Sequence, residues 1–336
     1  MLFKEMMIIN ILVVKLRHEY FRKNKCKAIN TTLDNCVTMV NIQNDILEIT
    51  LKGRKGQKKM RMIAFDIMSI LFLALGGMPK IEEMSYNSCE NNLTDLAGKF
   101  NTDEYFRESI LCICPISSDL ICQETLDAYR TIMQIPIYSM QYLVSEKYKH
   151  IITNHRILLL LHVIDGFIDD GVISKCKLEI ANKYNPSDNP GNYMCKVFFL
   201  CKNYFYKYHR KYNCEILQLL KVNQYDFLQV ISDTRNWYSH FLKENKKIHR
   251  LTDGAEMCFY FEIVFYSLRL YLMIEKLHIC VDESVVQEYF YIIHDWILDV
   301  RKSDKKIYKS KRYKINEEGK IEVEQAMKYL NIDCPR

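Results

Sequence analysis

Glycine and proline are scarce in this chain, 10 and 6 among 336 residues. That excludes a disordered or collagen-like chain and argues against a many-turned β-sandwich. Long uncharged apolar runs are missing as well. The most apolar stretch, Met62 to Met78, is short and carries Asp66, so it reads as a buried helix and not a membrane span. No secretory signal is expected: Lys4, Glu5 and Lys15 interrupt the apolar Met1 to Leu16, and no small-residue cleavage site follows. There is no internal repeat and no Gly-rich phosphate loop. The 13 cysteines are an odd number, scattered without a small-domain framework, which predicts reduced thiols in a cytoplasmic protein. Cys112, Cys114 and Cys122 have no second Cys/His pair at finger-like spacing, so no metal centre and no cofactor are expected.

What is present is the composition of a soluble globular protein, 49% apolar and 26% charged, long enough for one large domain or two ordinary ones. The net charge of +6 is uneven. Residues 301–314 (RKSDKKIYKSKRYK) hold eight Lys/Arg against Asp304, a net of +7, and the other 322 residues sum to −1. A second basic knot comprises Arg54, Lys55, Lys58, Lys59 and Arg61. Such clusters can meet phosphates, or form a solvated turn and a solvated tail.

Pattern divides the chain. Ile8 to Leu16, Cys36 to Ile42 and Asp45 to Leu51 have strand character, the last two joined by a turn at Gln43-Asn44. From Met60 the period changes: Ile63, Ile67, Ile70, Leu71 and Leu75 mark a helix face closed by Gly76-Gly77 and Pro79. Residues 80–135 give no clear assignment. From Ser145, a candidate N-cap, helices are predicted through about Ile168 and at 194–211, 215–241, 254–278 and 283–300. The 254–278 segment is apolar nearly all round, with Glu262, Arg269 and Lys276 as a thin polar stripe, so it should be deeply packed. The predicted architecture is mainly α: a smaller N-terminal β-containing (α+β) domain over 1–140, a helical domain over 141–300 and a basic tail over 301–336.

One segment concentrates chemistry: Ser232-Asp233-Thr234-Arg235-Asn236-Trp237-Tyr238-Ser239-His240, closing a helical pattern in which Leu220, Phe227, Ile231, Thr234 and Tyr238 share a face. The Arg–Asn pair followed after three residues by His resembles the R-N-x3-H form of the HEPN motif. With the charged loop Lys243 to Arg250 and the long apolar helix after it, roughly residues 140–300 resemble the Apea-like HEPN family. The resemblance implies a C-terminal HEPN helical bundle and a metal-independent endoribonuclease. It further implies a homodimer with a composite active site, a role in antiphage defence or as a growth-arresting toxin, and an antitoxin or phage trigger as partner. The tyrosine of R-x4-H-x-Y is absent, because Phe241 and Leu242 follow His240; this weakens the case for an antitoxin that modifies that tyrosine.

Each residue type suits RNA cleavage. Arg235 is a permanent cation whose fork matches phosphate oxygens. His240 titrates near neutral pH, its reference pKa being about 6.5. Asn236 could orient the imidazole or donate to phosphate, and on an uninterrupted helix it stacks with His240 at i, i+4. Arg235 and His240 lie about 140° apart at 100° per residue, so a frayed helix or a second subunit is needed to bring both to one phosphate. Asp233 could hold the guanidinium, and Asp165, acidic at a matching position of the first HEPN helix, could border the cleft. Lys202, Lys207, Arg210 and Lys211 interleave with Tyr204, Phe205, Tyr206, Tyr208 and Tyr212, a pattern that suits single-stranded RNA and equally an ordinary half-exposed amphipathic helix. Two further readings stay open. Arg235 could pair with Asp233 or Glu244 while His240 caps a helix end. The module could also be non-catalytic, binding RNA, nucleotides or another protein.

Overall fold

The computed structural model describes residues 9–17, 28–77, 79–87, 89–90, 113–132, 153–169 and 254–281, with single positions at 230–231, 233–235, 237, 284 and 286. The chain divides into two compact units. The first comprises Met1–Ile132, Val144–Glu146 and Met273–Val281; the second comprises Met133–Leu143, Lys147–Leu272 and Asp282–Arg336.

The first unit is built on an antiparallel sheet. Its strands are β1 (Asn10–Arg17), β2 (Ile29–Leu33), β3 (Cys36–Gln43), β4 (Ile46–Gly53), β5 (Lys80–Tyr86) and β6 (Cys89–Glu90), in the order β2-β3-β4-β1-β5-β6. The hairpin β2–β3 turns on Asp34 and Asn35, both at positive φ (49° and 62°). Two consecutive left-handed residues make the type I′ turn whose twist matches that of the strands, and Asp and Asn are the non-glycine residues that tolerate it best. The β3–β4 turn is Asn44-Asp45, one residue later than the sequence pattern suggests, with Asn44 at φ 59°.

Alternation places Leu12, Val14 and Leu16 of β1 and Leu47, Ile49 and Leu51 of β4 fully inside, beside Cys36, Thr38 and Val40 of β3. Thr38 is tolerated there because its hydroxyl donates to the Cys36 carbonyl at 3.2 Å. Gly53 is required by close approach: a Cβ there would stand 2.8 Å from the Cys36 Sγ. In β5 the period slips. Leu16 pairs with Ile81 but Lys15 pairs with Glu83, so Glu82 is bulged and the inward residues Ile81 and Met84 stand three apart. Asn87, at φ 49°, then turns the chain towards β6; its amide donates to the Ile11 carbonyl and its side-chain oxygen accepts from the Ile11 amide, both at 2.8 Å.

Helix α1 (Gln57–Leu75) covers the inner face. Its C-terminal two-thirds is buried nearly all round, from Ile63 through Leu75 with Phe65 half-buried. It ends where the sequence predicts: Gly76 adopts φ 81° and its amide donates to the Phe72 carbonyl at 2.8 Å, a left-handed cap that glycine adopts without strain. Helix α2 (Gln123–Thr131) packs on α1 and β2. Cys122 is its N-cap, its Sγ accepting from the Thr125 amide at 3.5 Å. Met273–Val281 also belongs to this unit, closed by a bond from the Ile279 amide to the Met273 carbonyl at 2.9 Å.

In the second unit, α3 (Thr153–Asp169) and α4 (Gly254–Tyr271) pack on each other; after α4 the chain makes a π-helical turn, Leu272–Lys276, all but the first residue of which belongs to the first unit. Ile157, Leu160, Leu161 and Ile164 are fully buried on α3 while Leu159 is exposed. Helix α4 is as deeply packed as its composition predicts. Two residues of its thin polar stripe, Glu262 and Arg269, are buried with it. Arg269 is the bulkiest fully buried side chain of the described residues and lies over its own helix's Phe265 and Tyr266 rings, at 5.8 and 5.6 Å. No helix of the described residues is long and apolar enough to cross a membrane.

The mainly α expectation is therefore overturned. The described residues are an antiparallel sheet with a few helices, and they contain no HEPN-type helical bundle; α3 and α4 are the only long helices among them outside the first unit. The error has a physical origin. The bulge in β5 breaks the period-2 signal and β6 is only two residues long, so strand content hid in the unassigned stretch, while long apolar helices dominated the pattern. The predicted helix at 194–211 and the Ser145 cap lie outside the described residues.

Candidate functional site

The motif segment is helical at every described position: Val230, Ile231, Asp233, Thr234, Arg235 and Trp237. Ile231 and Thr234, three apart, are fully buried, so the apolar face read from the sequence is the inward face here. Asp233, Arg235 and Trp237 are half-buried. The Nε of Arg235 and the indole nitrogen of Trp237 are themselves buried atoms. Asn236 and His240 lie outside the described residues, as do Lys202, Lys207, Arg210 and Lys211. Asp165 falls within α3, on the same element as the exposed His162.

Elsewhere the strongest electrostatic arrangement joins three elements of the first unit. The Arg130 guanidinium, on α2, donates from Nε to Asp66 of α1 at 2.8 Å and from Nη1 to Asp34 of the β2–β3 turn at 2.9–3.0 Å. Gln123 accepts from the Asp34 amide at 2.7 Å and donates to its carboxylate at 3.3 Å, and Lys55 stands 3.7 Å from the same carboxylate. The two acids respond oppositely. The hydrogen bond from Arg130 holds the Asp34 carboxyl below its usual range. Asp66 is only 6% exposed, and burial pushes its pKa up despite the same guanidinium pulling it down. Arg130 is held charged more firmly by both, chiefly by Asp34. This cluster satisfies itself internally and reads as a clamp.

Sequence reasoning noticed Asp66 as a charge inside an apolar helix but missed Arg130, 64 residues away. An ionisable group on an apolar face was the available signal that a partner exists; nothing in local pattern says which one.

On the sheet face opposite α1, Lys15, Asn41, Gln43, Asn44, Ile46 and Glu48 line a depression of about 290 Å3. Lys15 pairs across strands with Glu83 at 2.7 Å, which raises the ammonium pKa. No group of three or more potential metal ligands occurs among the described residues. Cys114 is buried, and Cys122 serves as the α2 cap.

No family model matches the chain, and no curated protein and no solved structure matches it either.

Proposed function

We propose that the chain is a cytoplasmic, metal-independent endoribonuclease that uses Arg235, Asn236 and His240, similar in mechanism to HEPN ribonucleases. The observation that carries the reading is the Asp233–His240 segment, with the stem of the Arg235 guanidinium buried beside the inward-facing Ile231 and Thr234. In this reaction the ribose 2′-oxygen attacks the adjacent phosphorus and the bond from phosphorus to the 5′-oxygen breaks. The 2′-OH proton leaves to a base, a proton is delivered to the departing 5′-oxygen, and the products are a 2′,3′-cyclic phosphate and a 5′-OH. Arg235 neutralises the charge that builds on the non-bridging oxygens. His240 serves as the proton-exchanging group, and Asn236 fixes its imidazole. On an uninterrupted helix Arg235 and His240 would stand about 140° apart; in this reading a second copy of the chain supplies one of them, and the active species is a homodimer. Antiphage defence or growth arrest is the biological role, with a phage product or an antitoxin controlling activity.

The test uses labelled single-stranded RNA in excess EDTA with parent and His240→Ala proteins side by side. Cleavage by the parent alone, leaving cyclic-phosphate ends, is expected. Equal cleavage by both proteins would remove His240 from the reaction. RNA binding without cleavage by either would favour a non-catalytic binding module.

A further inference from the structure

Residues 52–61, KGRKGQKKMR, hold six cations and no acid. Together with the basic tail they exceed the whole chain's net charge, so the remainder is acidic on balance and this segment is a local exception. The fold brings the six together at the junction of β4 and α1. Lys52 closes the outer face of β4, Arg54 and Lys55 form the connection, and Lys58, Lys59 and Arg61 occupy the first turns of α1. Lys52, Arg54, Lys58 and Lys59 are exposed.

Two features make this arrangement costly unless an anion arrives. First, Lys55 alone has an acidic partner, Asp34 at 3.7 Å, and that carboxylate is already held by Arg130. The other five cations make no ion pair among the described residues, and the buried Nε of Arg61 has no hydrogen-bond partner there. Second, the cations crowd the positive end of a helix dipole. The N-cap is Gly56, without a side-chain cap, and the first turn contains no acidic residue. Like charge there opposes the helix dipole. Helix starts ordinarily select Asp, Glu, Ser or Thr; this one has selected the opposite charge.

The surroundings indicate the ligand. In register across the outer face, Val37 and Ile11 flank Lys52 on either side, 53% and 37% exposed, and Met39 lies in the next row at 41%. A shallow aliphatic floor beside a row of cations suits sugars and phosphates. None of the exposed large apolar residues of the described chain is aromatic. Among the described residues this face therefore offers cations and aliphatic side chains, and no exposed aromatic ring on which a base could stack or that could anchor an interfacial helix. On α1 only Met62 presents a large exposed apolar side chain, too little for insertion into a bilayer.

We infer that the β4–α1 junction binds the phosphate backbone of nucleic acid without regard to sequence, with Lys52, Arg54, Lys58 and Lys59 as the contacting cations. This does not rest on the cleavage reading, because it concerns a different segment and a different step.

The experiment measures anisotropy of a labelled 30-nucleotide 2′-O-methyl RNA, which 2′-OH attack cannot cut, with the full chain at several salt concentrations between 50 and 200 mM. The triple variant Arg54→Gln, Lys58→Gln, Lys59→Gln is expected to bind about tenfold or more weakly, and its log affinity against log salt should flatten by about 2, three contacts at about 0.7 each. The charge-conserving triple Arg54→Lys, Lys58→Arg, Lys59→Arg should bind like the parent. Unchanged affinity and slope in the glutamine triple would overturn the inference, as would equal loss in the charge-conserving triple. Loss on neutralising Lys305, Lys306 and Lys309 instead would assign binding to the basic tail. Binding to phosphatidylserine vesicles with none to RNA would replace the ligand class. A His240→Ala protein that binds normally but cannot cleave leaves this surface standing and tests the other proposal alone.

Discussion

Helices α1 and α4 pose the same problem and solve it differently. The C-terminal two-thirds of α1 and most of α4 are apolar nearly all round, and each buries charge: Asp66 in α1, Glu262 and Arg269 in α4. Asp66 is a short side chain that reaches one point, so its partner is brought to it, and Arg130 arrives from α2 with the β2–β3 turn on its other side. Arg269 is long and flat, and it lies against rings that its own helix supplies three and four residues earlier. The lesson concerns reach. The carboxylate of Asp66 ties α1 to α2 and the β2–β3 turn, and the guanidinium of Arg269 is covered by aromatic faces of its own helix.

This contrast can be broken by mutation. The largest effect is expected from Arg269→Ala, which removes the bulkiest fully buried side chain among the described residues and opens a cavity: a loss of about 3–5 kcal/mol in urea unfolding. If Arg269→Ala unfolds like the parent, the packing role assigned to α4's arginine is wrong. Next comes Arg130→Met. It strands the buried Asp66 and should cost about 2–4 kcal/mol, less than a wholly buried pair because Arg130 is 29% exposed. Adding Asp66→Leu to that variant should restore most of the loss, since the pair is replaced by apolar groups. Continued instability of the double variant would mean that Asp34, not Asp66, is the important partner.

The smallest and most discriminating effect is in pH. Asp34 has its folded pKa depressed, so its contribution is present above the ordinary carboxylate range and fades as pH falls through the folded value. Asp66 has its folded pKa raised, so its favourable contribution exists at low pH and fades as pH rises through the raised value. The penalty of Asp34→Asn should accordingly shrink as pH falls below about 4, the reference range for Asp. Relative to the parent, Asp66→Asn should become more favourable as pH rises from about 4 towards 7. Parallel stability curves for both variants would contradict the opposite shifts.

The same contrast explains what could be read in advance. The β3–β4 hairpin, α1 with its Gly76 cap and the buried α4 follow from local periods and local caps, and each was legible within a window of about twenty residues. Strand β5 was not, because its bulge at Glu82 shifts the inward residues by one, and α2 carries too few apolar residues to announce a face. The mainly α class failed for the same reason. Arg130 and Asp34 were invisible because no local rule pairs residues so far apart. At the candidate site, Arg235 and Asp233 were legible as a motif and are helical and half-buried. The burial of the Arg235 stem depends on neighbours beyond the motif, which pattern does not specify.

Asp34 also sets a sequence of events in time. The hairpin it turns needs only neighbouring residues, whereas its bond to Arg130 spans 96 positions. Closing a loop of that length is entropically expensive before other contacts hold its ends, and hairpins form in microseconds on their own. The clamp is therefore expected to close late, after the sheet and α1 have formed. An interaction absent from the folding transition state governs how slowly a protein comes apart, not how quickly it assembles. Stopped-flow traces of Arg130→Met should show faster unfolding beside an unaltered folding rate; slower folding would place the clamp early instead.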